Sequence, residues 1–247
     1  MHSMNGNGKR VALVTGANKG IGLETARQLG QRGMTVLVGA RDGARGARAV
    51  ATLRGEAIDA RFIALDVTDA ASIAEAPRAI ERDVGRLDVL VNNAGIILGR
   101  PKPSETRLDD VRRVFEVNVF AAVAVTNAML PLLRRASPAA RIVMVSSEIG
   151  GLSNHGDPQW KYAWFNAIAY PASKAALNMV TVQYAKELAG TGIKVNAADP
   201  GYTATDLNGS RGTQTVEEGA RASVKLALLD DAGPTGGFFD ARGEVPW

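Results

Sequence analysis

The sequence predicts one α/β domain, a doubly wound parallel sheet of about seven strands with helices on both faces. Short apolar, β-branched runs alternate along the chain with longer segments whose apolar residues recur at helical spacing, the pattern of strand–helix–strand units. Most of these runs are apolar throughout rather than alternating, as strands covered on both faces require. No linker, repeat or low-complexity stretch interrupts the 247 residues, a length that one domain of this class fills.

Taken in order, RVALVTG (10–16) is a buried strand ending in Gly, and IGLETARQLGQRG has helical spacing and a Gly stop. MTVLVGAR (34–41) is a second strand, followed by an Arg/Ala-rich helix to Gly55. IDARFIALDVTD (58–69) holds a third strand, and Asp69 is placed to cap a helix running toward Gly85. LDVLVNNAG (87–95) is the fourth. A long helical stretch from about Leu108 to Arg135 follows, which Pro131 is expected to break. ARIVMVSS (140–147) is the fifth strand, a helix containing Tyr170 and Lys174 runs to about Ala189, and IKVNAADPG (193–201) is the sixth. A helix at about 215–230 precedes a short last strand in TGGFFDA. Residues 1–8 read as a flexible polar tail, leaving 9–247 as the domain.

Composition narrows the chemistry. The chain has no cysteine and two histidines, His2 and His155, so thiolate metal sites and disulfides are excluded and no metal centre is expected. Net charge is +4 with basic and acidic residues interleaved, which gives no support for nucleic-acid binding. The longest apolar run, Val119–Val125, is far short of a membrane span, and the polar start lacks the apolar core of a signal peptide. A cytoplasmic location is the expectation.

Three features carry chemistry. Tyr170 and Lys174 lie four residues apart in AYPASKAAL, one turn apart on one helix face. Pro171 requires the helix to start nearby, with Tyr170 in its first turn. A phenol titrates near 10, too high for a base at neutral pH, but a cation at about 4 Å stabilises the phenolate by as much as roughly 4 kcal/mol at an effective dielectric of about 20. Second, TGANKGIG places Gly16, Gly20 and Gly22 between the first strand and its helix. Glycines let the backbone approach a phosphate, and the helix offers its N-terminus to the anion. The spacing is G-x-x-x-G-x-G rather than the G-x-G-x-x-G fingerprint, so a tight structural turn is the competing reading. Third, the second strand ends at Ala40-Arg41, where NAD binding would place an acid. Arg41, with Lys19 in the glycine loop, favours the 2′-phosphate of NADP(H); Asp42 keeps NAD(H) as the alternative.

These features in register resemble the short-chain dehydrogenase/reductase family over the whole chain after the tail. The motifs are TGANKGIG, Asp66-Val67, NNAG at 92–95, Asn118, Ser147, YPASK at 170–174, and Pro200-Gly201 with Thr205. The stretch TATDLNG…GTQTVEEGA…TGGFFD is similar to the carbonyl-reductase and menthone- or salutaridine-reductase branch. The resemblance implies a Rossmann-type fold and reduction of a ketone or aldehyde with NADPH. Tyr170 would be the general acid, Lys174 would lower its pKa and hold the nicotinamide ribose, and Ser147 would hydrogen-bond the carbonyl oxygen. Asn118 would hold a water linking Lys174 to solvent. Gly16, Asn18, Lys19, Gly20, Ile21 and Gly22 would cradle the cofactor, Asp66 and Val67 its adenine, and Asn92, Ala94 and Gly95 its adenosine. Pro200, Gly201, Thr203 and Thr205 would meet the nicotinamide amide and phosphates. A non-catalytic NADP-binding sensor or regulatory module is the alternative, though such members usually lose the Tyr or Lys.

One departure stands out. Tyr170 follows Ser147 by 23 residues, about ten more than is common in the family. The inserted SNHGDPQWKYAWFNA carries Trp160, Tyr162, Trp164 and Phe165. In the resembled branch an insertion here forms a helix beside the active site. The aromatics read either as a substrate-pocket wall or as packing for the segment itself, and His155 as a loop residue. An insertion that covers the helices carrying Asn118 and Tyr170 predicts a monomer.

Overall fold

A computed structural model describes residues 9–247; the expected tail at 1–8 lies outside the described residues. Seven strands, β1 (Val11–Thr15), β2 (Thr35–Ala40), β3 (Ala60–Ala64), β4 (Val89–Asn92), β5 (Arg141–Val145), β6 (Lys194–Ala198) and β7 (Phe238–Phe239), form one sheet in the order β3-β2-β1-β4-β5-β6-β7. Every neighbouring pair is parallel, which requires a crossover between successive strands. The helices are α1 (Gly20–Gln31), α2 (Gly43–Gly55), α3 (Ala70–Asp83), α4 (Leu108–Phe115), α5 (Ala121–Arg135), α6 (Ala169–Glu187) and α7 (Val216–Ala227).

Alternation of side chains along each strand divides the core in two. Leu13, Leu37, Leu90, Ile142 and Val195 point to one face, under α3, α5 and α6. Ala12, Val14, Val36, Val38, Val91 and Val143 point to the other, under α1, α2 and α7. Helix starts follow readable capping chemistry. Asp42 accepts from the Arg45 N–H at 2.9 Å, Asp69 caps α3, and Thr215 and Glu218 satisfy each other's N–H groups at α7.

Pro131 does not break the long helix: α5 runs through it to Arg135. The carbonyl that loses its partner belongs to Asn127, and both residues lie on the exposed face, which is open to solvent. The interruption comes earlier, as a π-helical turn at Glu116–Phe120 joining α4 to α5. Part of the Leu108–Arg135 stretch is long and apolar enough in composition to cross a membrane. Its Val114, Val125, Met129 and Leu133 are nevertheless fully buried, as in a core helix.

The amino-terminal edge of the sheet is locked by buried charge. Arg141, 2% exposed, donates to the carbonyls of Leu229, Pro138 and Ala140, each at 2.8 Å, and to Asp231 at 2.9 Å. Fully buried Asp88 accepts from the Val11 N–H at 2.7 Å and pairs with Arg86. Arg141→Met strips three main-chain acceptors of their donor, and buried acceptors left unpaired are costly. We expect a loss of about 2–4 kcal/mol, read as a lower urea midpoint with an unchanged slope.

Candidate active site

The glycine loop crosses the carboxyl end of β1. Gly16 (φ 65°) and Gly20 (φ 56°) take left-handed backbone conformations that side chains disfavour. A Cβ at Gly22 would lie 2.9 Å from the Gly16 carbonyl and 2.4 Å from Asn93 Nδ2, so the turn closes only with glycine there. Lys19 stands at the N-cap of α1 without a capping side chain, and the first turn carries no acid. The leading N–H groups of α1 are thus left for an anion. Ile21 lines the cavity in front of this loop, and Asn18 is partly exposed within it. Lys19 itself pairs with Asp206 at 2.6 Å, with both side chains mostly exposed, a weak contact that an incoming anion can replace.

Arg41 is exposed at the end of β2 and pairs with no acid among the described residues. Asp42 is committed to capping α2. Asp66 accepts from the N–H and hydroxyl of Thr68, at 3.0 and 2.8 Å, which with the Arg41 charge holds its carboxyl below the usual range. Val67 packs against the core. Asn92 faces inward, donating to Thr126 Oγ1 at 2.9 Å, and supports the following turn from beneath instead of lining it. The turn is fixed by Thr15, whose hydroxyl accepts from the N–H groups of Asn93 (2.9 Å) and Ala94 (3.0 Å). Gly95 lies beside Asn118 and Lys174: a Cβ there would stand 3.4 Å from Asn118 Oδ1 and 3.7 Å from Lys174 Nζ, ordinary contact distances.

The four expected catalytic side chains converge here. Asn118 sits in the π turn, 1% exposed. Its Oδ1 accepts from the Ile96 N–H at 2.8 Å, and its Nδ2 donates to the Ile96 carbonyl and to Ser173 Oγ, both at 3.0 Å. Ser173 in turn donates to the Tyr170 carbonyl at 2.7 Å. Asn118 therefore braces the loop after β4 against the first turn of α6, where Tyr170 stands as Pro171 requires. Both amide hydrogens are used, so a water there must be held by the remaining Oδ1 lone pair or by the main-chain carbonyl. Ser147, following β5, lines the cavity beside Tyr170. Lys174 is 4% exposed and donates to the Val145 carbonyl at 2.7 Å; its Nζ lies 5.6 Å from the centre of the Tyr170 ring.

The electrostatics correct the expectation of a depressed phenol. Tyr170 is pushed well above the usual phenol range, first by removal from water and then by the Asp199 carboxylate, with the Ser147 hydroxyl opposing. Lys174, also through burial, is pushed down to about 8. Desolvation outweighs the attraction because the cation's hydrogen bond goes to a carbonyl and not to the phenol oxygen.

Asp199 was not anticipated, although a carboxylate just before Pro200-Gly201 at the end of a buried strand was a readable signal. It is 5% exposed and accepts from the N–H groups of Gly201 (3.1 Å) and Glu148 (3.2 Å), tying the loop after β6 to the residue after Ser147. Burial raises its own pKa. Thr15 and Ser173 were also unmarked, though each lies beside or inside a motif. Beyond Asp199, Pro200 and Gly201 line the cavity and Gly201 has φ 68°. The Thr203 hydroxyl is spent on the Pro200 carbonyl at 2.9 Å, whereas Thr205 faces Gly20 across the cleft.

The cavity over this centre has a volume of about 290 Å³. Tyr162, Trp164 and Phe165 line it, so these aromatics form a pocket wall. Trp160 instead packs the segment down, donating to Glu148 at 3.0 Å and contacting His155 edge-on. The segment from 151 to 168 is a succession of turns rather than the expected helix, consistent with its Gly156 and Pro158. His155 is an exposed loop residue bonded to the Ile149 carbonyl.

The family model for short chain dehydrogenases matches residues 10–215. Carbonyl reductase [NADPH] 1 of Pongo abelii is 34% identical, with 98% of this chain and 99% of that protein covered. The (+)-neomenthol dehydrogenase of Arabidopsis thaliana is also 34% identical, covering 96% and 97%. Among solved structures, an NADPH-bound carbonyl reductase from chicken fatty liver superposes with a TM-score of 0.85 at 30% identity, covering 97% and 99%. Salutaridine reductase from Papaver somniferum gives 0.80 at 29% identity, covering 94% and 99%.

The carboxylate at 199 works against ionisation of Tyr170. Asp199→Asn keeps an acceptor for Gly201 and Glu148 but removes the charge, which lowers the phenol's pKa. With Tyr170 in the acid–base role that the resemblance implies, alcohol oxidation is expected to reach half its maximal rate at lower pH in the variant. A pH profile of kcat/KM checks this.

Proposed function

The chain belongs to the short-chain dehydrogenase family, and from that premise we propose that it reduces a ketone or aldehyde to the alcohol, reversibly, with Tyr170 as general acid. The protein is an NADP-dependent oxidoreductase of this family, and NADP(H) is its cofactor. The observation that carries the reading is the meeting of Ser147 and Tyr170 at the cavity, backed by buried Lys174 and Asn118, with a bare helix N-terminus and an Arg41 that pairs with no acid among the described residues.

The residues fit the cofactor. Gly16, Gly20 and Gly22 with the uncapped start of α1 suit its pyrophosphate. Arg41 suits the 2′-phosphate, while Asp42, turned into its own helix, is not available to ribose hydroxyls. Asp66 and the turn from Asn93 to Gly95 flank the adenosine side, and Lys174 the nicotinamide ribose. When bound, the cofactor supplies the hydride to the carbonyl carbon. Tyr170 gives its proton to the carbonyl oxygen and Ser147 donates a hydrogen bond to the same atom, so both act on charge that develops only in the transition state. A phenol held protonated at neutral pH is armed for reduction. Lys174 is the nearest cation to receive the resulting phenolate, and Asn118, through Ser173, holds the turn that presents Tyr170.

We further propose a cytoplasmic enzyme that folds as one unit over 9–247, acts on a small carbonyl or alcohol compound, binds no nucleic acid and is a monomer. Leu108, Phe120 and Met179 remain exposed on α4, the π turn and α6. Light scattering at micromolar concentration should give the single-chain mass; a dimer or tetramer mass overturns it.

Tyr170→Phe keeps the ring and removes the proton donor. Carbonyl reduction should fall by about 10²–10⁴-fold while NADPH binding, followed by nucleotide fluorescence, is retained; turnover like wild type removes Tyr170 from its role. Arg41→Ala should cut the NADPH-over-NADH preference in kcat/KM by roughly ten- to hundredfold, the worth of one charge-assisted hydrogen bond. A preference untouched by the change assigns selection to other residues.

A further inference from the structure

The cavity above Tyr170 has a charge character that carbonyl reduction does not explain. Its wall is aromatic, formed by Tyr162, Trp164 and Phe165 with Tyr202. Among the described residues its only charged lining side chains are two cations, Arg100 and Arg211, and no Asp or Glu lines it. The Arg100 guanidinium lies 5.1 Å from the centre of the Trp164 ring and 5.6 Å from that of Phe165. It makes no salt bridge and no hydrogen bond to the described residues, whereas many arginines elsewhere on the surface find an acid, as Arg27, Arg82 and Arg135 do. Arg211 donates through Nε to the Asn208 carbonyl at 2.9 Å, and its terminal nitrogens have no partner among the described residues.

We propose that the substrate is an aromatic or otherwise planar carbonyl compound bearing a carboxylate, and that Arg100 recognises that carboxylate at the pocket mouth. The proposal rests on the carbonyl-reductase reading and adds a substrate class to it. Cation–π contact with Trp164 and Phe165 holds the guanidinium without using its N–H groups, which are left for a bidentate acceptor. The aromatic wall takes the planar body of the substrate, and Ser147 and Tyr170 take the carbonyl oxygen. Arg100 comes from the loop after β4, which Asn118 braces, and its two rings come from the insertion before Tyr170. Substrate choice is thereby tied to the segment in which this chain departs from the common spacing. Arg211, on the loop after Thr205, lines the same cavity but makes no aromatic contact of this kind and spends its Nε on Asn208.

The test compares 4-benzoylbenzoate with its uncharged methyl ester at saturating NADPH, in wild type, Arg100→Gln, Arg100→Lys and Arg211→Gln. Wild type should favour the acid in kcat/KM. Arg100→Gln should lower the acid-to-ester ratio roughly tenfold, and Arg100→Lys should restore part of it. The preference should also weaken with added salt, as an attraction at a partly exposed site does. Titration calorimetry of the same pair against the NADP+ complex reads recognition without turnover. If neither compound is reduced but the acid binds more tightly and loses that advantage in Arg100→Gln, carboxylate recognition by Arg100 stands and the carbonyl-reductase reading fails. Equal binding and equal turnover of acid and ester, or a ratio that responds to Arg211→Gln and not to Arg100→Gln, overturns the inference.

Discussion

β1 has β2 on one side and β4 on the other, so the chain leaves the carboxyl ends of these two central strands in opposite directions. No crossover helix can cover both ends at once, and a crevice opens above them. The positions that the site needs are set by this reversal. The glycine loop follows β1, the Asn93–Gly95 turn follows β4, and Thr15 at the end of β1 fixes that turn through two N–H groups. Ser147 and Asp199 follow β5 and β6 at the same edge. The opposite edge is closed by Arg141 and Asp88, whose buried hydrogen bonds serve stability. Function and rigidity are thus divided between the two ends of one sheet.

Within the crevice the decisive local feature is the π turn at Glu116–Phe120. A single extra residue in a long helix changes which side chains meet the sheet edge, and here it buries Asn118 against Ile96 and Ser173. One loop and a helix start are held by one amide. The same burial that fixes the geometry sets the charges. Tyr170 keeps its proton and Lys174 is pushed down to about 8, because both stand in a place with little water to solvate an ion. Hydrogen-bond geometry, not sequence spacing, decides how far the lysine can offset that.

The segment before Tyr170 has two functions in space. Trp160 anchors it to Glu148, and Tyr162, Trp164 and Phe165 turn toward the cavity. It carries no regular helix, and it leaves Leu108, Phe120 and Met179 exposed. Its contribution is a wall for the substrate pocket, and its cover over the neighbouring helical elements is incomplete.

Much of this was legible in the sequence because it depends on near neighbours in the chain. Apolar runs alternating with helical periods specify a parallel α/β sheet, and Asp69 and Thr215 mark helix starts by local capping. Gly16 and Gly20 mark backbone that other residues disfavour, and Pro171 fixes Tyr170 in the first turn of its helix. Contacts between distant residues were not legible. Pro131 stays inside a helix because the carbonyl it orphans faces water. The π turn is chosen by what Asn118 meets on other elements, the brace of Thr15 spans 78 and 79 residues, and Asp199 reaches Tyr170 only through folding. The sequence by itself determined the fold class, the order of the site's parts and their chemical kinds. The tertiary structure alone decided which groups are dry, which hydrogen bonds are spent and which charges are left unpaired, since burial and long-range pairing do not exist until the strands lie side by side.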